Sequence, residues 1–174
     1  IWYNMKTIND FIGKKVVALS HGACIGYVLD VTFDENLKKM NGIVIVDEEN
    51  EDEKFLSNEK LLSQNYEYIF VESAFDCENI FQNQSTNPVG KIVFSENGDD
   101  LGRVEDVVME KSNVQKIVTN KSEINVKNII VNGSDFLIFG KNNKKIKKNE
   151  KIFNKNVKNM PKIEVHNIAI KQIT

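Results

Sequence analysis

Gly22-Ala23-Cys24-Ile25-Gly26-Tyr27-Val28-Leu29-Asp30-Val31 returns as Gly98-Asp99-Asp100-Leu101-Gly102-Arg103-Val104-Glu105-Asp106-Val107. The likeness extends outward in both directions. Phe11-Ile12-Gly13-Lys14-Lys15-Val16-Val17 resembles Pro88-Val89-Gly90-Lys91-Ile92-Val93-Phe94. Leu56 to Val71 resembles Ile124 to Phe139, with a turn at Gln64-Asn65 against Asn132-Gly133. Self-similarity of this kind marks a repeated structural unit. The offset between copies shrinks from 77 to 76 to 68 residues, so the second copy has shorter loops; the acidic loop after Val46 is the largest difference. The expected organisation is a first unit over 5–73, a connector over 74–87, a second unit over 88–140, and a Lys-rich tail with a terminal strand over 141–174.

Each unit reads as strands. Val16 to Leu19, then His21-Gly22, then Ile25 to Phe33 is apolar run, turn, apolar run, and in the second copy the turn is Asn97-Gly98, a strong hairpin signal. Gly13, Gly22, Gly90 and Gly98 are read as turn positions. Gly26 and Gly102 fall inside a strand, where glycine marks a bend or close backbone approach. Val28/Val104 and Val31/Val107 are apolar at odd spacing, and Phe33/Met109 continue the new phase. A one-residue slip flips the faces unless a bulge absorbs it, which predicts bulges at Leu29-Asp30 and Glu105-Asp106. Further strands are predicted over Gly42 to Val46 and Gln115 to Thr119, at Phe55-Leu56 and Glu123 to Val126, and over Tyr66 to Val71 and Asp135 to Phe139. A tight helical turn is expected at Asn58 to Leu62. The fold class is therefore all-β, with five to six short strands per unit curling into a small closed or nearly closed barrel. A unit of about 60 residues buries only about 60% of its unfolded surface. Two such units are expected to dock on each other or to dimerise, with Phe75, Ile80 and Phe81 of the connector filling the seam.

Composition narrows the class. The 174 residues are 41% hydrophobic and 28% charged with only 2 Pro, which suits a folded chain rather than a disordered one. No apolar run is long enough for a membrane helix. Ile1-Trp2-Tyr3-Asn4 lacks the blocks of a secretory signal and reads as sequence upstream of a start at Met5. Abundant Lys and Asn beside a single arginine, Arg103, read as the codon bias of an AT-rich bacterial genome. Cys24 and Cys77 have no CxxC context, so reduced thiols in a cytoplasmic setting are expected. Charge is graded along the chain. Residues 1–87 hold 7 Lys and 15 acids (net −8), residues 88–140 are at net −2, and residues 141–174 hold 10 Lys and 2 acids (net +8).

IGKKV…G…IGYVLDVTFD, and more closely VGKIVFSENGDDLGRVEDVVME, resemble the PRC-barrel pattern, a Gly-Lys-Val opening followed by Ile/Leu-Gly-x-Val-x-Asp-Val. The resemblance covers roughly residues 8–73 and 87–140. The first copy departs from it at Lys38-Lys39-Met40-Asn41-Gly42 and in the acidic loop, which blurs loop lengths. PRC-barrels form the cytoplasmic part of the photosynthetic reaction-centre H subunit and the C-terminal domain of the ribosome maturation factor that binds a small-subunit ribosomal protein. Small stand-alone members occur in bacteria, some linked to sporulation, and in archaea. The resemblance implies two tandem PRC-barrel-like units with a protein-interaction or scaffold role, and brings no catalytic residues with it.

Candidate chemistry is sparse. Asp30 and Asp106 hold the same place in both copies. Paired carboxylates suggest acid–base work, but repetition in two units suits side chains that accept backbone N–H bonds at a bulge. Asp47-Glu48-Glu49-Asn50-Glu51-Asp52-Glu53 has oxygen ligands in quantity but not the EF-hand spacing, so it reads as a solvated hairpin loop, with docking of a basic partner as the alternative. His21 and His166 have no ligand-spaced neighbours, so no metal is expected. Cys24 aligns with Asp100 and should point outward; with His21 it lacks an orienting group and an oxyanion site. No phosphate loop is present, and no cofactor is expected.

The tail carries Lys144, Lys145, Lys147, Lys148, Lys151 and Lys155 among other lysines. It reads as a solvated linker, an RNA contact, a contact with an anionic membrane surface, or a contact with an acidic protein surface. Ile163 to Ile170 alternates as an edge-adding strand would. Taken together, the sequence leads to a non-enzymatic, cytoplasmic interaction module that docks on another protein or on its own copy. The alternative is an RNA-processing or ribosome-assembly accessory factor acting through the tail, with peripheral membrane attachment as a variant of the location.

Overall fold

The computed structural model describes residues 5–80 and 87–140. The chain divides between Asn143 and Lys144, and every described residue belongs to the unit Ile1–Asn143. That unit is built from strands and short 3-10 turns. The first half holds β1 (Met5–Thr7), β2 (Lys15–Ala18), β3 (Ala23–Phe33), β4 (Met40–Val46), β5 (Glu53–Ser57), β6 (Ser63–Gln64), β7 (Tyr68–Val71) and β8 (Glu78–Asn79). The second holds β9 (Ile92–Ser95), β10 (Asp100–Glu110), β11 (Asn113–Thr119), β12 (Glu123–Asn125), β13 (Ile129–Asn132) and β14 (Phe136–Phe139).

The duplication seen in the sequence is a duplication of topology. Strand order is β6-β7-β2-β3-β4-β5-β8 in one sheet and β13-β14-β9-β10-β11-β12 in the other. In each copy the opening strand runs parallel to the closing one, Val16 beside Ile69 and Val93 beside Leu137, while the other neighbours are antiparallel. The 3-10 turns Asn58–Lys60 and Val126–Asn128 fall at matching places. The bulges lie where the apolar phase slips. Pairing of β3 with β4 shifts between Val28 and Asp30, and pairing of β10 with β11 shifts between Val104 and Asp106. Each bulge lets one eleven-residue strand turn a new set of side chains inward, so that Val28, Val31 and Phe33, like Val104, Val107 and Met109, are all buried.

Of the closed or nearly closed barrels expected, the closed form is not made. Each sheet is open, because among the described residues no ladder joins β5 to β6 or β12 to β13; a 3-10 turn spans each gap. Closure needs strands long enough to tilt and stagger around an axis, and β6 has only two residues.

The seam between halves also differs from expectation. Phe75 is 91% exposed and Ile80 half-buried, while Phe81 lies outside the described residues. The halves are joined by main chain instead. β1 crosses over to pair with the far end of β10, Lys6 against Met109, on the edge that β9 leaves free beyond Arg103. The hairpin ends pair too: Met40 N–H donates to Ser112 O (2.8 Å) and Val114 N–H to Lys38 O (2.9 Å). One apolar cluster runs through both halves, from Ile8 and Phe11 to Leu137. Two sheets that would each be marginal alone thus share a core.

Candidate functional site

The two aspartates at the bulges are joints between the copies. Asp30 Oδ1 accepts the N–H of Val31 (2.7 Å) and the side-chain amide of Asn87 (2.5 Å), which precedes the opening strand of the second half. Asp106 Oδ1 accepts the N–H of Val107 (2.7 Å) and that of Ile8 (2.8 Å), and its Oδ2 accepts from Asn9 Nδ2 (2.8 Å), in the segment preceding the opening strand of the first half. Each copy therefore holds the entrance of the other through the same residue. Each carboxylate accepts the N–H of the residue that follows it and, in addition, a bond from the other half. The sequence separation of 57 and 98 residues hid that bond from local inspection.

The lysine of each Gly-Lys opening has a role that the sequence reading left unassigned. Lys14 Nζ donates to Asn65 O (2.7 Å), and Lys91 Nζ donates to Gly133 O (2.7 Å) and Asn132 Oδ1 (2.9 Å). Both ammoniums thus cap the turn that leads into the closing strand. Burial lowers the pKa of both, against the nearby acids Asp10 and Asp135. Recurrence of the Lys beside the aligned turns was the signal available for this contact.

Gly13, Gly22, Gly90 and Gly98 all have positive φ at turns. Gly26 (φ 145°) and Gly102 (φ 101°) combine positive φ with close approach: a Cβ at Gly26 would strike the Val46 carbonyl, and one at Gly102 the side chains of Asn120 and Thr119.

The features proposed for solution chemistry stand apart from one another. His21 is exposed and bonds Ser20 Oγ (2.5 Å); Cys24 is exposed. Cys77 is half-buried, and that burial pushes its thiol pKa up. The acidic stretch is the β4–β5 hairpin loop, with Asp47 Oδ1 accepting Glu49 N–H (2.8 Å). No group of three His, Cys, Asp or Glu converges on a point among the described residues. Lys144, Lys145, Lys147, Lys148, Lys151, Lys155, His166 and the strand expected over 163–170 lie outside the described residues.

What the geometry does bring together is an apolar outer face on the second half. Side chains alternate across a strand, and paired residues share a face. Val93 and Leu137 point into the core, so Ile92 and Phe94 on β9 and Phe136 and Ile138 on β14 point outward, register Ile92 with Phe136 and Phe94 with Ile138. Val131 on β13 pairs with Ile138 and joins them. Val131 is 42% and Phe136 45% exposed, and the rings of Phe94 and Phe136 lie 5.6 Å apart. The first half repeats the arrangement with Val17, Tyr68 and Phe70, but Lys15 stands where Ile92 stands in the second, 3.6 Å from Glu48. No family model matches the chain, and no curated protein is detectably similar to it. Among the described residues no helix is long and apolar enough to cross a membrane.

Proposed function

We propose that this chain is a non-enzymatic, cytoplasmic interaction module of the tandem PRC-barrel type, and that it docks on another protein through the outer face of its second half. The observation that carries the reading is the run Ile92, Phe94, Val131, Phe136 and Ile138 on a side of the sheet that alternation normally leaves polar. Contiguous apolar surface on a folded domain marks an interaction site more often than chance. The burial pattern fits the same reading, since Val93 and Leu137 serve the shared core while their strand neighbours face the other side of the sheet.

A photo-crosslinking residue at Phe136 or Val131, introduced in the native host, tests this. The expected result is a discrete adduct, absent when the probe sits at exposed Glu59 and abolished by Phe136→Lys in a Val131-probed chain of unchanged melting temperature. An adduct of twice the chain mass would identify a second copy as the partner. No adduct from either position, or adducts indifferent to Phe136→Lys, would refute the docking face.

One observation favours a second reading: the net charge of +8 over residues 141–174 suits electrostatic contact with RNA in a ribosome-assembly accessory role, or with an anionic membrane surface. RNA contact predicts affinity that falls steeply with salt and vanishes when residues 141–160 are deleted. Binding insensitive to salt counts against it.

A further inference from the structure

A cleft of about 380 Å³ opens where β1 and the 58–69 segment of the first half meet the β10–β11 turn of the second. That volume is at the small end of ligand cavities, which run from about 300 to 1,000 Å³. Its walls are chemically divided. Phe11 and Leu61 form an apolar surface, and Lys6, Lys111, Ser63 and Ser112 bring ammonium and hydroxyl groups. No acidic side chain lines it among the described residues.

Neither of its two cations makes an ion pair among the described residues. Pairing of Lys6 with Met109 carries its side chain toward the seam, where the ammonium stands 5.8 Å from the centre of the Phe11 ring and makes no ion pair among the described residues. Burial and then the charge of Lys14 lower the Lys6 pKa. Asp10, which accepts the Thr7 N–H at 2.7 Å, acts in the opposite sense and is the smallest of the three influences. Lys111 sits in the turn at φ 56°, a conformation lysine rarely adopts, also without an ionic partner among the described residues. An anion would relieve the repulsion at Lys6 and complete both donors. A bare inorganic anion would leave the apolar wall unused.

We propose that this cleft binds a small organic carboxylate, with its acid group on Lys6 and Lys111 and its apolar body over Phe11 and Leu61. The inference is independent of the docking face, which lies on other strands. The experiment is an amide NMR titration of the full chain with hexanoate, with hexylammonium (same tail, opposite charge) and with inorganic phosphate (charge without tail). Hexanoate is expected to give saturable shifts at Ser63, Lys111 and Ser112, to raise the titration midpoint of the Lys6 ε-carbon, and to bind about tenfold or more tighter than phosphate. Lys6→Gln and Lys111→Gln should each weaken hexanoate about tenfold while leaving the rest of the spectrum in place, the loss expected for a charge-assisted contact. Lys111 is exposed, so its replacement tests the site even if Lys6→Gln disturbs β1. No saturable hexanoate shift up to its solubility limit, equal shifts with hexylammonium, or phosphate binding as tight as hexanoate would overturn the proposal.

Discussion

Asp106→Ala removes one side of the reciprocal joint, and its cost can be worked from the contacts. Two main-chain donors lose their acceptor: Val107 N–H at 2.7 Å and Ile8 N–H at 2.8 Å. Ile8 is 4% exposed and Val107 fully buried, so water does not readily replace the carboxylate. Hydrogen bonds to charged acceptors contribute about 1.5–3 kcal/mol each, and buried donors left unpaired sit in the upper part of such ranges. The Val107 contact is local, between neighbouring residues, and the Asn9 amide is free to turn to water, so the total is about 2–4 kcal/mol. Asp30→Ala leaves only one main-chain donor, Val31 N–H, because its other partner is the Asn87 side chain. Its cost is therefore lower, about 1–2 kcal/mol. Urea unfolding followed by far-UV circular dichroism measures both. With a slope of about 2 kcal/mol per molar, the middle of the usual range for a small protein in urea, the Asp106→Ala midpoint should fall by about 1–2 M without a change of slope. A midpoint within error of the parent, or a larger loss for Asp30→Ala, would refute the reciprocal-joint reasoning.

Further outcomes follow from the same geometry. Gly26→Ala should cost about 1–3 kcal/mol, because both its φ and the fixed Val46 carbonyl oppose a methyl group, and Gly102→Ala less, because its shortest contact is the end of the exposed Asn120 side chain rather than main chain; thermal melts compare the two. Exposed Cys24 should alkylate well before half-buried Cys77 at neutral pH, as peptide mapping after timed iodoacetamide will show; equal rates would contradict the burial of Cys77. The carboxyl of Asp76 is held below its ordinary pKa by the Ser73 N–H and then Lys60, and that of Asp100 by Lys121 and then the Gly102 N–H. A pKa depressed in the folded state adds stability above the unfolded value that is lost as pH falls through the folded one. The urea midpoint should thus drop on acidification below about pH 4, and drop less in Asp76→Asn/Asp100→Asn.

Much of the fold could be read because its decisive signals are local. The phase slip from Val28 to Val31 has one geometric remedy, and the bulge is there in both copies. Asn97-Gly98 and the glycines at positive φ needed only their neighbours to be interpreted. Other features depend on distance in sequence. β1 is three residues with no apolar alternation of its own, and it exists because β10 offers an unpaired edge. β6 and β8 are two-residue strands of polar side chains, held by β7 and β5 rather than by propensity. Phe75 looked like seam material because it is aromatic, yet the connector turns at Ser73–Asp76 through a capping box that leaves the ring outside. The outer apolar face was hidden for a related reason. Ile92-Val93-Phe94 and Phe136-Leu137-Ile138-Phe139 are unbroken apolar runs, and only the register shows which members face the core.

Size explains why the pattern occurs twice in one chain. Separated, the copies would leave the β10 edge without its β1 partner, the entrance segments without the aspartates that hold them, and each copy with only part of the apolar cluster. Joined through equivalent residues, the copies make the kind of self-complementary contact that two identical subunits make across a two-fold axis, but with the association built into the chain. The consequence is testable on the fragment 5–80. It keeps β2 to β8 yet loses the β10 partner of β1, the Ser112 and Val114 contacts of the 38–40 hairpin end, and the Asp106 acceptor of Ile8. Near the lower size limit for independent folding, that loss should leave it without a cooperative unfolding transition as a monomer. Adding the 87–140 fragment should restore one. A monomeric 5–80 that melts cooperatively on its own would show that the halves are separate domains and that the shared core is incidental to their stability.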